Sequence, residues 1–525
     1  MTIRDVFAAL VVLGLLLIIG NAVHRSHSVW RKYFIPGSIL AGAVGLLLGP
    51  EVLGALVRPV AGPDHVLSGG VIPENIRDVW SQIPGVFINV VFATLFLGKQ
   101  LPTVAEMWRL AKPQIMFGQT MAWGQYVVGI LLAILVLTPL FGMNPLAGAL
   151  IEISFEGGHG TAAGLMDTFE QLGFPEGADL ALGLATFSLV AGTVLGTIIV
   201  NWGARTGQFG RTRRPAGPQA AGVQGAPEAA ASGRGAARTV NAGEEPAAGA
   251  GRQSATGAGR QSATGAGRQS AAGAGRQSAA GAGRQSAADA APEPSVEALT
   301  LQFAYIGLSI AIGWVIQQTL IYIESMTTVP LGAPALMPYI PLFPLSMIGS
   351  IFVQLGVNRL GLSHMLHRPL IERISGTALD VTIVAALATL SLSVIGDNWA
   401  PFVLLALAGT LWNTFCFFVL APRMFPEYWF ERGIADYGQG MGVTVTGLLL
   451  LRLADPHNRS GTLETFGYKQ LLFEPIVGGG IWTAAAMPLM HQFGPVPVLV
   501  FTGAVTVFWL VLGLHNGKAP VPAAQ

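Results

Sequence analysis

Charge is what this chain has least of. Lys, Arg, Asp and Glu make up 11% of its 525 residues, and 29 basic against 28 acidic side chains leave a net charge of +1. Soluble domains carry about 25% charged residues. With hydrophobic residues at 52% and mean hydropathy at +0.56, the composition points to an integral membrane protein. A near-neutral charge gives nucleic acid no basic surface to bind. Cysteine is almost absent, and Cys416 alone forms no internal disulfide and says nothing about compartment. No second His or Cys stands at metal-ligand spacing, which argues against a transition-metal centre. No Ser/His/Asp set or nucleotide loop supports a membrane enzyme.

What is present is a series of apolar runs long enough to span a bilayer. They lie near 5–23, 34–49, 83–98, 113–141 and 179–202 in the first half, and 299–324, 339–357, 374–395, 398–420, 470–492 and 495–514 in the second. The first run lacks a basic leader beyond Arg4, precedes Arg25, Arg31 and Lys32, and has no small-residue cleavage site, so it reads as a retained span rather than a signal peptide. Two further segments, 145–166 and 433–451, are interrupted by polar and glycine residues.

The basic residues set the orientation, because Lys and Arg concentrate in cytoplasmic loops. Loop 24–33 carries Arg25, Arg31 and Lys32, and loop 99–112 carries Lys99, Arg109 and Lys112, so both are expected inside with the N-terminus outside. The stretch 167–179 holds Asp167, Glu170, Glu176 and Asp179 without a base, whereas the linker after Trp202 holds eleven arginines and no lysine. Both satisfy the rule only if 145–166 dips into the membrane and returns to the same face. Loop 358–373, with Arg359, Arg368 and Arg373, is then cytoplasmic. The expected fold is an all-α polytopic membrane protein. It has two inverted repeats of five transmembrane helices, each with one re-entrant hairpin, plus an extra C-terminal helix. The repeats occupy 1–202 and 299–493, the extra helix and tail 494–525, and an Ala/Gly/Arg-rich cytoplasmic linker 203–298. The linker repeats an eight-residue unit on Arg252, Arg260, Arg268, Arg276 and Arg284. Its composition cannot offset the entropy of ordering, so disorder is expected. Two roles remain for it, attraction to anionic membrane lipids and a passive tether.

The two interruptions carry the chemistry. The first runs Ser154, Phe155, Glu156, Gly157, Gly158, His159, Gly160, Thr161, and the second runs from Asp436 through Gly438, Gln439, Gly440 and Gly442 to Thr444 and Thr446. Broken backbone at membrane depth is tolerated where protein covers it or a wet cavity lies beside it, and a matched pair in two halves points to a transporter's binding site. Glycine lets backbone approach a ligand closely. Freed amides suit a carboxylate, and freed carbonyls with hydroxyls suit a hard cation. The alternating Gly438, Gly440 and Gly442 suggest an extended segment with one side toward substrate. Substrate contacts are expected from Glu156, Gly157, Gly158, His159, Gly160, Thr161, Gly438, Gln439, Gly440, Gly442, Thr444 and Thr446. Ser154, Glu156, Thr161 and Thr444, with backbone carbonyls, are the expected Na⁺ ligands, and no other cofactor is implied. Against this stand blander readings: glycines as close helix contacts, including Gly42, Gly45 and Gly49, and His159 as a packing histidine. Glu152 and Glu156, four apart, share a helix face, where two carboxylates do not both ionise cheaply. Asp380 reads as an acid near a helix start, interacting with the dipole.

These motifs resemble the bacterial sodium/glutamate symporter family. Its Ser-Gly-Gly-His-Gly-Thr stretch is similar to Glu156–Thr161 except at the first residue. Its Gly-X-Gly-X-Gly-X-Thr-Pro-Thr stretch is similar to Gly438–Thr446 with Val445 for proline. Phe34-Ile35-Pro36 with Ala41 and Gly42, and Phe92-Ala93-Thr94, are also similar. The resemblance implies ten helices with two re-entrant hairpins, a homodimer with a scaffold and a moving unit, and Na⁺-coupled uptake of an acidic amino acid across the inner membrane. The substrate is then a small anion or amino acid. Glu156 puts a negative charge where the family has a hydroxyl, which requires a proton or Na⁺ beside an anionic substrate. No arginine lies within an expected span; Arg452 sits at the end of its hairpin. The alternative is a proton-coupled exporter or exchanger with Glu156 as carrier, and a channel or membrane enzyme fits the broken-helix pair less well.

Overall fold

The computed structural model describes residues 2–28, 30, 35–99, 102–210, 296–332 and 334–518. The arginine repeat falls outside the described residues, and so does the linker except at its edges, where one helix ends at Arg205 and the next begins at Val296.

Helices carry the described chain. In the first half they are α1 (Ile3–Ser26), α2 (Gly37–Leu47), α3 (Ala55–Ala61), α4 (Glu74–Ala93), α5 (Val104–Leu132), α6 (Thr138–Phe141), α7 (Leu150–Phe155), α8 (Gly158–Gly164), α9 (Met166–Gln171) and α10 (Glu176–Arg205). The second half has α11 (Val296–Thr327), α12 (Leu342–Arg359), α13 (Arg368–Ala388), α14 (Leu392–Asp397), α15 (Trp399–Phe415), α16 (Ala421–Met424), α17 (Trp429–Ala454), α18 (Thr462–Phe473), α19 (Ile481–Phe493) and α20 (Pro495–Asn516). Capping boxes start α1 and α5: the Thr2 and Thr103 hydroxyls accept from the amides of Asp5 and Glu106, whose carboxylates accept in return.

Among the described residues seven helical stretches are long and apolar enough to cross a membrane: Ile3–Ser26, Gly37–Ala61, Ala105–Phe141, Glu176–Arg205, Ala298–Leu331, Trp399–Met424 and Pro495–Asn516. They match expected spans. The other four expected spans fall on α4, α12, α13 and α18–α19, which are more polar, shorter or broken. Three expectations change. The run 470–492 is not one helix, because Glu474–Gly480 separates α18 from α19. The span expected at 374–395 begins at Arg368 and breaks after Ala388. Asp380 therefore sits in the second half of α13, far from the N-terminal dipole, and is exposed.

The helices form two packing groups. In one, α1, α2, α4 and α13 share a core of Leu13, Leu16, Trp80, Ile83, Val384 and Ala385, with the Trp80 indole donating to the Ala9 carbonyl at 3.0 Å. The α11–α12 pair joins it through Ile306, Val353 and Ile371. In the other group α5 packs against α15, α18 and α20, and α10 against α7, α8 and α17. Its core includes Phe117, Tyr126, Ile151, Phe155, Leu180, Phe417, Tyr437 and Met441. α8 lies at the boundary, with Gly160 against Ile88 of α4 and Leu379 of α13.

Small residues set the spacing between α2 and α13. A Cβ on Gly42 would stand 2.6 Å from Leu387 Cβ, and one on Gly45 would stand 2.7 Å from Ala388 Cβ. These two glycines are packing contacts; a Cβ on Gly49 would first meet the Leu46 and Gly45 carbonyls of α2. Gly42→Ala should lower the thermal midpoint, since overpacking costs about 1–3 kcal/mol. Gly14→Ala should not, because nothing lies within 4 Å of its added methyl. Melting curves of the two purified variants check this; equal midpoints would show that α2 and α13 separate without cost.

Candidate substrate and ion site

Both polar interruptions are breaks between helical arms. In the first, α7 ends at Phe155 and α8 begins at Gly158, whose φ is +67°. The backbone amides of Glu156 and Gly157 both donate to the Glu152 carbonyl, at 3.1 and 3.0 Å. In the second, helix continues through Met441, and only Gly442 (φ −178°, ψ 42°) and Val443 (φ 60°, ψ 175°) leave it. The extended run expected over Gly438–Gly442 is therefore corrected to a helix with a two-residue break. Residues two apart on a helix point to different sides, so these glycines do not line one face. The chain reverses at this break: a Cβ on Gly438 would stand 2.7 Å from the Gly447 Cα, whereas nine residues of straight helix would separate them by about 13.5 Å. Α17 is thus a helical hairpin with glycine at its close approach.

The two breaks meet. A Cβ on Gly158 would collide with Val443 Cγ1. Val443 is β-branched in the left-handed region, a conformation that costs about 1–3 kcal/mol and persists only where surroundings enforce it. A third break, absent from the expectations, joins them at Gly478 (φ +74°) and Gly479 (φ +104°) between α18 and α19. A Cβ on Gly479 would stand 2.6 Å from the Thr161 hydroxyl. The Pro475 and Gly478-Gly479-Gly480 sequence carried this signal inside an apolar run.

The two carboxylates four residues apart have different surroundings. Glu152 is fully enclosed and accepts three hydrogen bonds: from the Tyr126 hydroxyl at 2.5 Å, the Thr483 hydroxyl at 2.9 Å and the Gly478 amide at 2.7 Å. It fastens the third break to the first. Glu156, 4% exposed, has Oε2 without a partner among the described residues. The Ser154 and Thr161 hydroxyls of the same broken segment are also buried, and neither has a partner among the described residues. Lys469, Glu152, Asp436 and Gln439 are the charged and polar groups around it.

The remaining expected site residues are mostly engaged within the fold. His159 Nε2 lies 2.9 Å from the Thr186 hydroxyl, which already donates to the Leu182 carbonyl, so the imidazole is the donor. The Gly440 carbonyl accepts from Asn413 at 2.8 Å and from Gln125 at 3.1 Å. Thr446 donates to the Gly442 carbonyl at 2.6 Å, bracing the break. Thr444 accepts from the Gln470 amide and donates to Glu474 at 3.4 Å. Gln439 accepts from Lys469. Arg452 is exposed at the end of its hairpin. Lys469, a buried cation that precedes the apolar run of its segment by one residue, went unread in the sequence. Two open cavities lie elsewhere, one beside Arg452 and Asp455 and one beside Lys99 and Glu464.

Residues 77–214 match the family model described as sodium/glutamate symporter. This region is similar to the sodium/glutamate symporter family. The matched stretch includes the first break and ends before the second and third. The chain is similar to the sodium/glutamate symporter of Escherichia coli (strain K12), 28% identical over 197 residues, which is 37% of this chain and 43% of that protein. It is similar also to that of Haemophilus influenzae, 27% identical over 150 residues, 26% of this chain and 35% of that protein. The chain thus spans less than half the length of the curated relatives it matches. The family match and the seven apolar helices among the described residues support a multi-pass inner-membrane protein.

The two carboxylates should separate experimentally. Glu152→Ala strands three enclosed donors, each costing about 1–3 kcal/mol when unsatisfied. Glu156→Ala removes a carboxylate of which one oxygen has no partner among the described residues. Thermal unfolding in detergent should show the larger loss for Glu152→Ala; the reverse order would contradict the fastening role.

Proposed function

We propose that this protein is a Na⁺-coupled symporter of glutamate or a related amino acid or organic anion, working by alternating access. One observation carries the reading. Ser154 Oγ, Glu156 Oε2 and Thr161 Oγ1 are buried without partners among the described residues, near glycine breaks that meet in the protein interior. Buried polar atoms are ordinarily paired, and unmet oxygens call for an ion, water or ligand. Hard cations take oxygen ligands. Ser154, Glu156 and Thr161 are the side-chain ligands proposed for Na⁺. Thr444 ranks behind them because Gln470 and Glu474 engage it.

The same reading takes the chain as two inverted repeats, each with a re-entrant hairpin. Its support is a correspondence between halves. A π-helical turn at Ala133–Leu137 precedes Thr138-Pro139, and another at Cys416–Leu420 precedes Ala421-Pro422. Val136-Leu137-Thr138-Pro139 and Val419-Leu420-Ala421-Pro422 match in pattern, and each leads into a broken segment. The group built on α5, α10 and α17 carries the breaks and is the proposed moving unit; the group of α1, α2, α4 and α13 is the proposed scaffold, with a second copy of the chain and lipid around it.

The lone Glu156 oxygen also favours a second reading, a proton-coupled exporter or exchanger in which it carries the proton. Uptake of labelled glutamate into proteoliposomes, with Na⁺ or choline outside and with or without a pH gradient, separates them. Symport predicts uptake that needs Na⁺. Glu156→Gln should then insert normally and lose at least about tenfold in Na⁺-driven uptake, the effect of about 1.4 kcal/mol of ion binding. Unchanged Na⁺ dependence in Glu156→Gln would remove this carboxylate from the ion site.

A further inference from the structure

Lys469 is a full charge enclosed at the centre of the second hairpin's contact with α18. It is 1% exposed, and so is its partner Asp436. Its ammonium donates to Asp436 Oδ1 and to Gln439 Oε1, both at 2.7 Å. Asp436 and Gln439 are three residues apart on one helical arm, so their oxygens share a face. The other Asp436 oxygen accepts from Gln114 of α5 at 2.6 Å. The ring of Phe473 lies 4.0 Å from the ammonium and that of Phe466 at 5.2 Å, which holds the cation from the remaining side. Gly118 of α5 makes room for its methylenes; a Cβ there would collide with Lys469 Cε.

This arrangement is the complement of the one at Glu156. At Asp436 the carboxylate has a resident cation held by oxygen and aromatic faces. At Glu156 the carboxylate has an open oxygen and open hydroxyls. An enclosed carboxylate without a counter-charge is strongly penalised. A cation or a proton must therefore neutralise Asp436, and Lys469 is a cation that is covalently part of the chain.

We propose that the Lys469 ammonium is a tethered counter-cation that occupies the position at Asp436 and Gln439 which a mobile cation would otherwise take. The mobile coupling ion is thereby confined to the Glu156 end of the site. Lys469 is a positioning residue for ion coupling, and the identity of the mobile ion as Na⁺ rests on the symport reading. Removing the ammonium opens a second ion site at Asp436.

The test uses the full-length purified protein, its Lys469→Met and Asp436→Asn variants and the double variant, melted in NaCl and in choline chloride at equal ionic strength. Lys469→Met should lose several degrees in choline and recover a large part in NaCl, with a Na⁺-dependent rise exceeding that of the unaltered protein. Lys469→Met/Asp436→Asn should melt above Lys469→Met in choline, and its Na⁺-dependent rise should fall back to that of the unaltered protein. A Lys469→Met loss that is equal in the two salts would mean an ordinary structural ion pair and would overturn the proposal. So would a double variant no more stable in choline than Lys469→Met. If Lys469→Met yields no folded protein, recovery of folded yield in the double variant is the expected result, and its absence overturns the proposal. Stability of the variants is the readout here and uptake by the unaltered protein tests symport, so the two readings fail separately.

Discussion

Gly158 touches Val443 because two interrupted helices bring their bared backbone to the same enclosed place. Hydrocarbon offers no partner to an amide or carbonyl, so a helix can break at membrane depth only against other protein. Each break here is supplied with partners in that way. Thr446 caps the Gly442 carbonyl, Asn413 and Gln125 hold the Gly440 carbonyl, and Glu152 takes the Gly478 amide. The strain at Val443 persists within the same contact, since a smaller separation of the arms or any side chain at Gly158 would collide there.

Charge follows the same logic. Among the described residues Glu152, Glu156 and Asp436 are enclosed carboxylates near the breaks, and each meets a different solution. Glu152 is saturated by three donors and behaves as a fastening. Asp436 is paired to Lys469. Glu156 has an oxygen left over, together with two hydroxyls. A site that loads and unloads an ion needs oxygens that the protein itself does not satisfy, and the unpartnered ones among the described residues here lie along Ser154–Thr161, on both sides of the turn between α7 and α8. The satisfied groups around it keep the turn in shape.

α8 lies where the two packing groups meet. It packs on α10 within the hairpin group while Gly160 and Gly164 face Ile88, Leu379 and Phe343 of the other group. The unsatisfied turn is thus next to the contact surface between the two packing groups. Sliding of one group past the other would alter the surroundings of Glu156 directly and would leave the Lys469–Asp436 pair, enclosed among α5, α17 and α18, travelling as a unit.

Much of this was legible in the residues themselves. Low charge and long apolar runs announce a polytopic membrane protein, and glycine with Glu156, His159 and Asp436 marks the places where helices stop. Hydropathy could not reveal that 470–492 is broken, because a glycine triplet barely lowers the mean of an apolar window, nor that Lys469 is drawn fully inside. Pairing was also beyond reach: that Glu152 is satisfied and Glu156 is not depends on Tyr126, Thr483 and Gly478, residues 26, 331 and 326 positions from Glu152 along the chain. Local sequence determined where the backbone departs from helix, because that is decided by glycine and its neighbours. Only the tertiary structure decided which oxygens stay unpaired, because in a low-dielectric interior a carboxylate's state is set by whichever donors the rest of the fold carries to it.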